Sequence, residues 1–321
     1  MTASGVKPGK YTTVTVIDPR RYGISFSIKQ CRSFGLDAQA CLRWLLGRGW
    51  QRFRIMSYWN EHETRPGHYD FANLDWQIAT IQKHGGVISL CLGVKQPRWP
   101  EYHWPQWTHE LSDADKTTAL LHYITAVVKR YRDNPAVISY QLENEALLKG
   151  FGQDVHIDRG RLQLEYRLVR RLDPSRPIYM STSNGWGVPL RRPLPYGVGF
   201  SVYTIMHNKG SYHQTIQRPW LHRLRAGFIR HFLARPVFVH ELQCEPWGPK
   251  AIWEMSPDQQ SASMSLERIT HNIAWAQQIG AYPIDLWGAE WWYWRWQQGD
   301  KTVYKTVTSA LAPSVQYRDP I

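Results

Sequence analysis

Short runs rich in β-branched and aromatic residues alternate along this chain with longer stretches whose apolar positions recur in steps of three and four. The short runs fit strands, and the stepped stretches fit helices that bury one side. Eight strand candidates follow in order: YGISFSI from Tyr22, RFRIMSYW from Arg52, GVISLCLG from Gly86, AVISYQLENE from Ala136, IYMSTS from Ile178, VGFSVYT from Val198, PVFVHELQ from Pro236 and YPIDLW from Tyr282. Between them, Leu121, Ile124, Val128 and Tyr131 predict the stripe of one helix, and Leu266, Ile269, Ile273 and Ala276 that of another. Such alternation marks a parallel sheet wrapped by crossover helices. Eight units match a closed (β/α)8 TIM barrel of the α/β class, whose usual size is about 250 residues. A doubly wound sheet is the alternative, but neither GxGxxG nor GxxxxGK[ST] follows the first strand. No linker or low-complexity tract divides the chain, so one domain over residues 1–321 is expected, with GVKQPRWPEYHWPQW from Gly93 as a long loop after the third strand.

Composition narrows the class. With 321 residues, 43% of them hydrophobic, the chain can bury a large core. Its longest apolar runs fall well short of the roughly 20 residues a membrane span needs. The first residues, MTASGVKPGKYTTVTVIDPRRYG, lack the charged start and apolar stretch of a secretory leader, so either the protein stays inside the cell or a leader has been trimmed. Cys31, Cys41, Cys91 and Cys244 have no CxxC spacing and read as buried thiols. The net charge of +13 raises the question of a nucleic-acid or acidic-polymer partner. Scattered basic residues such as Arg218, Arg223, Arg225, Arg230 and Arg235 instead predict a solvated outer face and no specific nucleic-acid site, with an acidic glycan left as a hint. A monomer is expected. Seventeen tryptophans and seventeen tyrosines offer flat faces with polar edges, suited to sugar rings as well as to a core.

Chemistry on such a barrel collects at the carboxyl ends of the strands. Glu145 ends AVISYQLENE and Glu241 ends PVFVHE, the fourth and seventh strands. They lie 241 − 145 = 96 residues apart, or 32 per unit over three units, a normal βα repeat. A single strand-end glutamate reads first as a surface or ion-paired residue. Two in these strands read as a pair for glycosidic cleavage, in which one carboxyl protonates the leaving oxygen and the other attacks the anomeric carbon or activates water.

The segment YQLENEA resembles the fourth-strand signature of clan A glycoside hydrolases. That resemblance implies a substrate-binding amide at Asn144, the acid/base at Glu145 and the nucleophile at Glu241. The stretch RFRIMSYWNEHETRPGHYDFANLDWQI is similar to the second-strand region of β-galactosidase-like and cellulase-like members, which implies a role for Arg54. An aromatic on the sixth strand and a tryptophan on the eighth correspond to Tyr203 and Trp287. The chain lacks the extra β-domains of large β-galactosidases and more closely resembles a compact family 5 type enzyme. A retaining mechanism follows from the resemblance, with carboxyl groups about 5 to 5.5 Å apart. Glu145 is then protonated at rest, with burial and Glu241 raising its pKa, while Arg54 and Tyr203 hold Glu241 ionised. No cofactor or metal is required.

Other residues compete for contact with an oligo- or polysaccharide. Trp59, Trp99 and Trp287 are the expected sugar platforms, each with core packing as the alternative. Glu143 shares a face with Glu145 and either touches sugar or satisfies an interior arginine. Glu245 and Glu290 follow the last two strands, and Glu290, beside Trp291 and Trp292, is the better sugar ligand. His207 and His240 lack metal-ligand spacing and read as hydrogen-bonding residues. A transglycosylase would use the same two glutamates; a catalytically silent carbohydrate-binding barrel would need the tryptophans but not both glutamates.

Overall fold

The computed structural model describes residues 14–146, 148, 152, 158–184, 187–311 and 315–318. Most of the segment read above for a leader therefore lies outside the described residues. A two-stranded antiparallel ribbon pairs β1 (Val14–Ile17) with the last strand, β12 (Val315–Arg318). Between them runs a barrel of eight parallel strands: β2 (Tyr22–Phe26), β3 (Arg52–Met56), β4 (Val87–Leu92), β5 (Val137–Leu142), β6 (Ile178–Thr182), β7 (Gly197–Val202), β10 (Val237–Gln243) and β11 (Ile284–Trp287). It closes where β11 pairs with β2. All eight expected strands form. A small hairpin, β8 (Ile205–Asn208) and β9 (Ser211–Gln214), follows the sixth barrel strand.

Helices wrap the outside: α1 (Ile28–Ser33) and α2 (Ala38–Gly47), α3 (Trp59–His62) and α4 (Ala72–Lys83), α5 (Asp113–Tyr131), α6 (Arg159–Leu172), α7 (Pro219–Phe232), α8 (Pro257–Met264) and α9 (Leu266–Ile279), α10 (Ala289–Gln297) and α11 (Thr302–Leu311). Side-chain oxygens start several of them; Ser112, Asp158 and Ser265 each accept a first-turn backbone N–H. The α5 stripe is Leu120, Tyr123, Ile124, Val127, Val128 and Tyr131. Leu121 is thus replaced at the core by its neighbour, because the buried face is wide enough to take adjacent positions. In α9, Ile269, Ile273 and Ala276 are buried, but Leu266, in the first turn, is exposed.

Among the described residues no helix joins β6 to β7; residues 183–184 and 187–196 are irregular, with three prolines in 187–196. Met180 and Val198 pair in register across β6 and β7. With Val188, Pro189 and Pro195 they line a largely apolar pocket that reaches Glu145. No helix among the described residues is long and apolar enough to cross a membrane. All four cysteines are buried and free.

The barrel interior is polar, and this positions the site. Arg52 Nε donates to Asp285 Oδ1 at 2.8 Å, and Asp285 Oδ2 lies 2.9 Å from His240 Nδ1. His240 Nε2 lies 2.6 Å from Gln141 Oε1, which also accepts from Arg54 Nε at 2.6 Å. Glycine makes this crowding possible: a Cβ on Gly23 would fall 2.2 Å from Asp285 Oδ1, and one on Gly199 would fall 2.5 Å from His240 Cβ. In β10 the pairing with β7 slips between Val239 and Glu241. This bulge lets His240 and Glu241 both turn toward the axis, which strict alternation forbids.

Candidate active site

The chain leaves β5 through two left-handed residues, Glu143 (φ 51°) and Glu145 (φ 43°). Neither is glycine, so surrounding contacts must hold them there. Glu143 accepts backbone N–H groups from Val94 (3.0 Å) and Lys95 (2.5 Å) and faces Arg161 at 3.4 Å. It therefore satisfies an interior arginine and staples the loop after β4 to the end of β5. Gly93 (φ 105°) leaves room for it, since a Cβ there would sit 2.4 Å from the Glu143 carboxyl carbon. The next two residues are fixed through their own N–H groups, Asn144 to Lys95 O (2.6 Å) and Glu145 to Ser181 Oγ (2.8 Å).

Glu145 is buried, and its Oε1 accepts from Ser201 Oγ at 2.5 Å. Burial, followed by the charge of Glu241, pushes its pKa up to about 7. Glu241 receives Arg54 Nη1 on Oε2 at 2.6 Å and the Tyr203 hydroxyl on Oε1. Arg54 is fully buried and also donates to Asn144 Oδ1 at 2.9 Å. One guanidinium thus spans the strand-four amide and the strand-seven carboxylate. Tyr203 meets Trp247 edge to face at 5.4 Å. The structure brings Arg54, Asn144, Glu145, Tyr203 and Glu241 into one constellation.

The aromatic candidates divide. Trp59 is fully buried, stacked on Tyr123 at 5.6 Å, with its Nε1 donating to Glu63. It is a core residue and no platform, because α3 begins directly after the strand and turns its ring inward. Trp99, on the loop after β4, is 62% exposed. Trp287 is buried, with the Arg98 guanidinium 3.8 Å from its ring centroid. Glu290 is likewise no open sugar ligand: it is fully buried, its Oε1 taken by the Ser27 N–H (2.5 Å) and its Oε2 by Arg98 (2.8 Å). Glu245 pairs with the same Arg98. His240 is held by Asp285 and Gln141, and His207 lies in β8 against Tyr212. Among the described residues no group of three or more metal-ligating side chains assembles.

Two ionisable groups of the site had no local signal. Glu101 (φ 73°) is buried and accepts from Asn144 Nδ2 at 3.0 Å. Burial, with Glu241 and Glu145 adding to it, raises its pKa to about 8. Lys95 is fully buried, and its Nζ donates to the Glu145 carbonyl at 3.2 Å. Both lie on the irregular loop 93–107, where spacing carries no information about direction.

No family model matches the chain. Over 114 residues it is 28% identical to a protein of Neosartorya fischeri named as a probable mannan endo-1,4-beta-mannosidase F; the match takes in 33% of this chain and 24% of that one. Solved structures share the fold at low identity. A GH5_18 protein of Streptomyces cattleya in complex with GlcNAc aligns with TM-score 0.60 and 14% identity, over 84% of this chain and 70% of that one. An exo-β-1,4-mannosidase of Opitutaceae bacterium strain TAV5 gives 0.60 and 15%, over 92% and 60%. A glycosylated endo-β-1,4-xylanase of glycoside hydrolase family 10 from Gloeophyllum trabeum gives 0.62 and 14%, over 92% and 97%.

Proposed function

We propose that this (β/α)8 barrel is one catalytic domain that hydrolyses β-glycosidic bonds in an oligo- or polysaccharide with retention of configuration. The observation that carries this reading is the unequal treatment of two carboxyls at strand ends. Glu145 titrates near 7, kept there by burial and by Glu241, whereas Glu241 is engaged by Arg54 and Tyr203. A proton donor beside a charged nucleophile is the division of labour that glycosidic cleavage requires.

In the first step Glu241 attacks the anomeric carbon, and the bond to the leaving oxygen breaks as Glu145 gives that oxygen its proton. Neutralising Glu241 as an ester removes the charge that holds the proton on Glu145. Glu145 then takes a proton from water, whose oxygen displaces Glu241 and restores both groups. Arg54 and Tyr203 hold the leaving Glu241 oxygens in place. Because a mannan endo-1,4-beta-mannosidase and an exo-β-1,4-mannosidase stand among the similar proteins, β-mannosides are the first substrates to test.

The test is a panel of nitrophenyl β-glycosides, with the first-formed anomer read by NMR. Glu241→Ala should fall to background. Glu145→Ala should lose about 10²–10⁴-fold on substrates with poor leaving groups, lose little on dinitrophenyl glycosides, and recover with azide as the β-glycosyl azide. An inverted first product, or an unchanged rate in Glu241→Ala, overturns the assignment.

A further inference from the structure

Helix α7 presents an apolar stripe to solvent. Trp220, Leu224, Phe228 and Phe232 follow one another every four residues and are 57%, 65%, 42% and 68% exposed. A four-residue step places successive side chains on adjoining turns of one face. The Phe228 and Phe232 rings touch, at 4.7 Å between centroids, and form a continuous surface. The opposite face of the helix is committed to the barrel: His222, Arg225, Ala226 and Ile229 are buried. Arg225, expected on the solvated face, instead lies 3.9 Å over the Phe200 ring and donates to Gly187 O at 2.9 Å. The orientation of the helix is thereby set, and the stripe can only point outward.

The same sector carries a one-sided charge. From Pro174 to His240 the chain has nine Lys and Arg residues and no Asp or Glu. Arg191, Arg192, Lys209, Arg218, Arg223 and Arg230 of that stretch are exposed. Arg223, three residues after Trp220 on the helix, borders the stripe and is anchored by donating to the Gln278 carbonyl at 3.1 Å, so its charge is held at a fixed place. Apolar side chains with tryptophan and phenylalanine, bordered by arginine and without acidic residues, match the boundary of an anionic bilayer, where rings enter the acyl edge and cations meet phosphate. A second copy of this chain fits poorly, since a two-fold contact would set arginine against arginine with no counter-charge in the sector. A soluble polyanion accounts for the charge and leaves the stripe without a partner.

We propose that the outer face of α7, with the basic residues bordering it, is a docking surface for an anionic lipid membrane. The protein then works as a peripheral membrane protein, lying on the bilayer without spanning it.

Sedimentation of the full chain with vesicles tests this. Phosphatidylcholine vesicles containing phosphatidylglycerol should bind the protein, and phosphatidylcholine alone should bind it far more weakly. Leu224→Ser with Phe232→Ser should reduce binding at least tenfold or so. Arg218→Gln and Arg223→Gln should each reduce it about fivefold, the equivalent of about 1 kcal/mol per basic residue. Melting curves establish that each variant is folded, and turnover of a soluble glycoside should be unchanged, so a failed vesicle test is separable from a failed catalytic assignment. The proposal is overturned if neither vesicle binds the protein. It is also overturned if heparin and vesicles bind alike without regard to the serine variant, or if the stripe instead drives a dimer seen by analytical ultracentrifugation.

Discussion

Glu101 sits between two opposing demands: it receives a hydrogen bond from Asn144, which favours its charged form, while burial and two neighbouring glutamates favour the neutral one. The second side wins, and a pKa of about 8 makes it a carboxylic acid at neutral pH. Its folded pKa lies above its unfolded value, so it contributes stability that is complete below about pH 4.5 and is lost as pH rises through about 8. Glu101→Gln reproduces the neutral form. We therefore expect this variant to keep most of its activity at pH 6, and its melting temperature relative to the parent to rise between pH 5 and pH 8. A melting difference independent of pH would show that Glu101 is ionised throughout. At this scale the sequence was informative where a residue belongs to a strand or its end, as for Arg54 within β3 and for Glu145 and Glu241 at the ends of theirs. It was silent for Glu101, whose direction is set by a left-handed backbone inside a loop.

The loop after β4 is the element on which the site depends most. Glu143 holds its start through two backbone N–H groups, and Arg98 holds its middle by bridging Glu245 and Glu290 beneath the exposed Trp99. Removing one member of a buried ion group leaves the others charged and unpaired, at a cost of about 3–5 kcal/mol. Arg98→Ala should lose about that much in denaturant unfolding at pH 7. The loss should be smaller at pH 5, because burial already raises the Glu290 pKa and its proton can replace the arginine. An equal loss at both pH values would mean the carboxylates find another cation. The eight strands were legible because each is a short run rich in β-branched and aromatic residues set between helix-period stretches. The β10 bulge and the Arg98 cluster were not, since each depends on residues far apart in the chain. Trp59 misled for a related reason: following a strand does not place a side chain at the mouth when a helix starts there.

Across the whole molecule two sets of buried groups pull stability in opposite directions with pH. His62, His103 and His222 have lowered pKa values, about 3 for His103 and about 4 for His222, mainly through burial. Such histidines contribute stability that is present above their unfolded pKa of about 6.5 and is lost as pH falls toward the folded values. Glu101, Glu145, Glu143, Glu165 and Glu290 are raised, also mainly by burial, and their contribution is lost as pH rises from about 4.5. The net charge of +13 favours higher pH, where repulsion relaxes. At about 0.15 M salt, however, exposed charges are screened beyond about 8 Å, whereas the buried groups are not. The buried set should therefore prevail and place maximal stability at about pH 5–6, far below the pI of 9.6. Melting temperatures from pH 4 to pH 10 at constant ionic strength test this. A maximum above pH 8 would show that surface repulsion outweighs the buried glutamates, whereas a peak near pH 5–6 that survives added salt would assign the optimum to the interior of the barrel.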